Sequence, residues 1–261
     1  MNTRPAIVAG TFYDANPEKI RAQINPWLDK PSSQIDAIRA MIVPHAGYVY
    51  SGFTAACAYR QLLSCKSNYN KVIVVGPSHH VGFVGLALPS VESFSSPLGD
   101  IPLDQSAIGS LLEQDSALIS DEIHAPEHSL EVQFPFLQSC LDEFSLIPII
   151  TGKIEPETLA DHLEPIWDKD TLLVISSDLS HYHTYDEAQR VDGQTCQLIE
   201  AHTPSLTPQQ ACGCTGINAL SALMQRGHYQ LQQMKYQNSA HFSGNKDSVV
   251  GYVSYVASTV Q

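Results

Sequence analysis

Several histidines stand where a metal ion or a moving proton would use them. Pro44-His45-Ala46-Gly47-Tyr48 follows one apolar run, and Gly76-Pro77-Ser78-His79-His80 follows another. Ser176-Ser177-Asp178-Leu179-Ser180-His181-Tyr182-His183 follows a third, while Ala211-Cys212-Gly213-Cys214-Thr215-Gly216 precedes a helical stretch. Imidazole is the commonest metal ligand, and its neutral form suits zinc, copper, iron or nickel. His45 and His80 offer two nitrogens. A thiolate from Cys212 would complete a three-ligand set, its charge favoured by the unpaired amides of a helix start. Asp178 and His181 then remain as the groups that move a proton or orient an activated water.

Each of these residues has a plainer role to be weighed against that one. A single histidine after a strand is more often a hydrogen-bonded loop residue, and the metal reading rests on three such loops in one chain. His79 and His80 are neighbours and can hardly both face one site, so one of them is expected in a supporting or structural role. Cys214 reads as a small buried apolar residue, and Cys212 alone would read the same way. Asp178 can equally cap the loop Leu179–Ser180. Glu127-His128-Ser129-Leu130-Glu131 either caps a helix near Val132–Leu137 or sets Glu127 and His128 at the pocket rim. Tyr48 lies close enough to His45 to wall the pocket, whereas Tyr50, Tyr182 and Tyr185 read as packing residues.

The elements that must position these groups alternate in type. Met41–Pro44, Lys71–Val75, Ser145–Ile150, Thr171–Ser176 and Ser248–Val256 read as strands. The middle runs are apolar at consecutive positions, which suits strands buried on both faces in a parallel sheet. Helices are expected over Pro17–Trp27, Gly52–Leu63, Gln105–Glu113, Pro156–Trp167, Tyr185–Glu200 and Gly216–Gln225, the first capped by Asn16 with proline in its first turn. This alternation predicts an α/β fold: one three-layer domain over residues 1–261, with a central, largely parallel sheet and helices on both faces. In open α/β sheets ligands bind beyond the carboxyl ends of the strands, so three histidine-bearing loops would converge on one edge.

Composition narrows the function. The 261 residues carry a formal charge of −13, which repels phosphate backbones and anionic lipid heads. Nucleic acid and membrane surface are therefore poor partners, and a small-molecule or peptide ligand is expected. No apolar run approaches a membrane span, and Ala6–Ala9 is too short for a signal-peptide core, so a cytoplasmic protein is expected. The six cysteines are scattered apart from Cys212-x-Cys214, form no C-x-x-C, and read as reduced.

These motifs, in this order, resemble the Memo family, in which prokaryotic members are known as AmmeMemoRadiSam system protein B. The resemblance rests on Pro44–Tyr48, Gly76–His80, Glu127–Glu131, Ser176–His181 and Ala211–Gly213, with Gly10-Thr11-Phe12-Tyr13 similar to the family's opening motif. It implies a fold related to the class III extradiol ring-cleaving dioxygenases. It also implies metal at His45, His80 and Cys212, and an acid/base role for His181 beside Asp178. Those dioxygenases use a carboxylate as third ligand, whereas this chain has Cys212, and a thiolate shifts preference toward copper or zinc. Ring cleavage therefore does not follow from the fold. The resemblance points to an iron- or copper-dependent oxidoreductase, with zinc also possible, and to a radical-SAM protein and an AMMECR-type protein as pathway partners. The competing functions are a binding protein recognising a peptide or metabolite, a copper-holding protein, and a zinc hydrolase.

Overall fold

The computed structural model describes residues 2–260. Its centre is four parallel strands, β2 (Ile38–Val43), β9 (Thr171–Ser176), β3 (Lys71–Pro77) and β8 (Ser145–Thr151), adjacent in that order. All six residues of β9 are buried, as a strand covered on both faces requires. The margins are partly antiparallel. On one side β12 (Val249–Thr259) runs against β2 and also pairs with β10 (His181–His183) and β11 (Tyr229–Asn238). On the other, β4 (Leu86–Leu88) runs against β8 and carries β7 (Ala117–Ile119) at the edge. β1 (Thr3–Arg4), β5 (Ser93–Ser96) and β6 (Gly99–Pro102) form a separate small sheet.

Helices cover both faces. Successive side chains on a strand point to opposite sides. On β9, Ile175 lies beneath Gly216 of α8 (Cys214–Arg226), whereas Ser176 reaches Gln133, just ahead of α5 (Phe134–Cys140). α5 and α8 therefore lie on opposite faces. α6 (Pro156–Leu163) packs with α8; α1 (Pro17–Leu28) and α2 (Tyr48–Tyr59) pack with α5; α7 (Tyr185–Glu200) lies on β12. The short helices α3 (Gln105–Leu112), α4 (Asp121–His124) and α9 (Ala240–Ser243) complete the chain. One contiguous apolar cluster runs from Val8 to Ala257, with a small satellite of Ala188, Ala240 and Val249.

The expected strands appear with boundaries moved by a few residues, and α7 spans the predicted Tyr185–Glu200. Asn16 caps α1, its side chain accepting from the Glu18 and Lys19 amides at 2.8 and 3.2 Å. α2 begins at Tyr48, one turn earlier than predicted, because the chain enters the helix directly from the His45 loop. Among the described residues no helix is long and apolar enough to cross a membrane.

Candidate metal centre

Because β2, β3 and β9 are parallel, the loops that follow them leave from one edge. The loop after β2 is tied to the loop after β9 by backbone and side chain. Ser177 N–H donates to the Val43 carbonyl at 2.9 Å, and His45 N–H donates to Asp178 Oδ1 at 2.9 Å. The segment bearing Cys212 is pressed onto the end of β9. Cys212 N–H donates to the Asp178 carbonyl at 3.3 Å, and Gly213 N–H to Ser177 Oγ at 2.9 Å. A Cβ on Gly213 would stand 2.6 Å from the Ser176 carbonyl oxygen, so only glycine permits this approach.

Three imidazoles meet above this edge. His45, His79 and His128 have ligand nitrogens that all lie within 4.8 Å of one another, close enough for a possible metal site. The His79 and His128 rings stack at 4.7 Å, and His45 meets both edge-on at 5.2 and 5.5 Å. Glu127 stands behind them. Its Oε1 faces His79 Nδ1 at 2.9 Å and accepts from the His128 and Ser129 amides, while Oε2 accepts from the His79 amide at 2.6 Å. A carboxylate at Nδ1 fixes that nitrogen as N–H and leaves Nε2 with its lone pair, an arrangement typical of metal-ligating histidines. Cys212 Sγ lies 3.3 Å from His45 Nε2. His45, His79, His128 and Cys212 line a cavity of about 950 Å³ with His80, Asp178 and His181–His183. Ile7, Val8, Phe12, Pro126 and Pro208 form an apolar wall, and the lining holds neither lysine nor arginine among the described residues.

Burial sets the protonation states. It lowers His45 well below the usual imidazole range, helped by the neighbouring His79 and His128, and it holds His128 at about 4. Both rings are thus neutral donors at neutral pH. Burial likewise lowers His181. Burial alone would raise Glu127, but its hydrogen bonds with His79 outweigh that and keep it ionised. Asp178 is raised to about 7 by burial, with the His45 amide pulling it partly back. Burial, then the charge of Asp178, pushes the Cys212 thiol up to about 12, so without a cation it stays protonated. A bound metal ion reverses that preference.

The structure distributes the expected residues in its own way. His45, Cys212, Asp178 and His181 all face one cavity. Within the histidine pair, His79 joins His45 and His128, whereas His80 groups with Glu127 and His128. Asp178, expected beside His181, takes amides of the His45 loop. Tyr48 turns inward, away from the cavity: it is 1% exposed, donates to the Val132 carbonyl at 2.8 Å, and packs on Tyr13 and Phe136. Glu127 is buried and His128 stands at the cavity wall, ahead of the 3-10 turn Glu131–Gln133 that leads into α5. The apolar wall from the N-terminal segment was not foreseen. Its one signal was the spacing of Ile7, Val8 and Phe12 around the Gly10–Tyr13 motif.

Known proteins resemble this chain over nearly its whole length. A MEMO1 family protein of Saccharolobus islandicus is 32% identical, over 97% of this chain and 98% of its own. Protein MEMO1 of Mus musculus is 31% identical, over 96% of each. A crystal structure of an uncharacterized protein from Escherichia coli K12 superposes with a TM-score of 0.52 at 12% identity, covering 84% of this chain and 99% of that one. That likeness concerns the fold alone and agrees with the mixed α/β architecture. The family model described as Memo-like protein matches residues 4–256, a span that takes in every loop of the histidine cluster, and the chain belongs to that family.

Proposed function

We propose that the cavity is a transition-metal centre for redox chemistry on a small organic molecule. The observation that carries this is the 3.3 Å separation of His45 Nε2 and Cys212 Sγ, with the His79 and His128 imidazoles in reach. Two ligands of one tetrahedral ion at usual Zn–N and Zn–S lengths stand roughly 3.5 Å apart. The donor set fits iron, copper or zinc: neutral imidazoles, a sulfur, and a carboxylate behind one ring. His45 is common to the imidazole trio and to the His45–Cys212 pair. His79 is the imidazole the geometry favours beside it, and His80 is the alternative that family resemblance supplies.

A bound iron or copper would supply electron transfer and a Lewis-acidic position. The chain's own groups do the rest. The apolar wall holds the carbon skeleton of a substrate and excludes water. His181, neutral and lining the cavity, accepts a proton, and Asp178, poised near neutrality, keeps the His45 loop in place. The wide cavity also favours a second reading, a binding protein without turnover. The absence of lysine and arginine from its lining, among the described residues, argues for an uncharged ligand over a phosphorylated peptide.

Kinetics on one variant separates the readings. His181→Ala should keep its metal and lose turnover by on the order of 10²-fold or more as a lost general base. Equal loss of metal in His181→Ala and His45→Ala would make His181 a ligand and end this division of roles.

A further inference from the structure

Ser176 Oγ has three polar neighbours: the Ser129 carbonyl at 2.6 Å, Gln133 Nε2 at 2.8 Å and His45 Nδ1 at 2.9 Å. A hydroxyl has one hydrogen to give and two lone pairs to receive. The carbonyl can only accept, so the Ser176 hydrogen points to Ser129. The orientation of Gln133 is fixed too. Its Nε2 faces the Pro44 carbonyl at 3.0 Å, another pure acceptor, and its Oε1 receives the Tyr59 hydroxyl at 3.0 Å. Gln133 therefore donates its second hydrogen to Ser176. The one remaining lone pair of Ser176 meets His45 Nδ1, which must carry a hydrogen.

We infer that Ser176, locked by Gln133 and the Ser129 carbonyl, is a positioning residue that holds His45 as its Nδ1–H tautomer and turns the Nε2 lone pair toward Cys212 and the cavity. The relay Tyr59–Gln133–Ser176 is buried throughout, so no water competes for these hydrogen bonds. Tyr59 lies on α2, Gln133 ahead of α5 and Ser176 at the end of β9. Three elements of the fold thus set the direction of one lone pair. The functional meaning of the relay rests on the metal reading above, but the tautomer itself does not.

The test begins with metal-free wild type. Long-range ¹H–¹⁵N correlation of the His45 ring should show Nδ1 protonated and Nε2 bare; an Nε2–H ring overturns the proposal without any variant. Ser176→Ala should then mix the two tautomers and weaken zinc(II) binding by about 10–100-fold, the usual effect of losing a ligand's supporting hydrogen bond. Ser176→Thr, which restores the hydroxyl, should recover the tautomer and most of the affinity. Unchanged tautomer and zinc affinity in Ser176→Ala would contradict the positioning role. A wild type with the Nδ1–H ring that binds no zinc would overturn the metal reading and leave the tautomer assignment standing.

Discussion

Asp178 shows how a single side chain carries the tension between placement and charge. Its carboxyl is buried where it can take the His45 amide, and burial raises its pKa to about 7. A carboxyl whose folded pKa is raised binds its proton more tightly in the folded state. Its contribution to stability is therefore fully present below the unfolded value near 4 and is lost as pH rises through about 7. The buried histidines have lowered values and tilt the profile the other way, so the informative quantity is a difference between two proteins. Asp178→Asn keeps an acceptor for the amide but removes the charge. In metal-free protein, its stability relative to wild type should grow between about pH 4 and pH 7, by at most about 1.4 kcal/mol per pH unit. Urea denaturation at several pH values measures this, and a flat difference would show that Asp178 is solvated. The histidine pair makes a related point. Adjacent residues cannot be told apart by type, and what singles out His79 is Glu127 Oε1 at its Nδ1. No local spacing announces that partner.

At the scale of elements, the sheet edge does the positioning, and the loops add little freedom of their own. Gly213 is the point of closest approach, where a Cβ would meet the Ser176 carbonyl oxygen at 2.6 Å and Ser177 Cβ at 2.7 Å. The obstacles are the last residue of β9 and the one after it, and neither atom is the far end of a flexible chain. Gly213→Ala should therefore lift the Cys212 segment off β9. The expected cost is roughly 1–3 kcal/mol, as for other overpacked sites, with loss of the short His45–Cys212 approach. A melting curve and a crystal structure of the variant would check it; an unshifted Cys212 would mean the segment is held from elsewhere. The same elements explain how far the sequence could be read. β3, β8 and β9 were legible because doubly buried strands are apolar without interruption, and the parallel placement of β2, β3 and β9 followed from helices between them. β11 was not legible: Tyr229–Asn238 is rich in glutamine, and its one covered face gives too weak a pattern against α2. The short strands β4, β7 and β10 are held by their neighbours, with too few residues to show a period. At the site, the loops and most of their chemical residues could be named in advance. The inward turn of Tyr48 and the wall from Ile7, Val8 and Phe12 depend on tertiary packing and could not.

Over the whole molecule, one buried ion pair joins the N-terminal segment to the site. Glu131 is fully buried and bonds Arg4 at 2.8 Å, the Ile7 and Val8 amides, and the Tyr13 hydroxyl. Arg4 in turn donates to the carbonyls of His124 and Glu127. Segments far apart in sequence are thereby fastened around the cavity wall and the loop that carries Glu127 and His128. Glu131→Ala leaves Arg4 buried without its partner and should cost roughly 3–5 kcal/mol, more than replacing both residues with apolar ones. Denaturation of the single and double variants decides this, and equal losses would mean the pair itself is not what fastens the segment. The central claim concerns the cavity that this fastening encloses, namely that His45 anchors a metal ion there. The most direct measurement is metal content after anaerobic purification, for wild type and for His45→Ala, His79→Ala, His80→Ala, His128→Ala and Cys212→Ala. Wild type should carry iron or copper near one per chain, with near-complete loss in His45→Ala, strong loss in His79→Ala and Cys212→Ala, and the smallest loss in His80→Ala. A wild type without metal, or a His45→Ala protein that keeps it, would contradict the account.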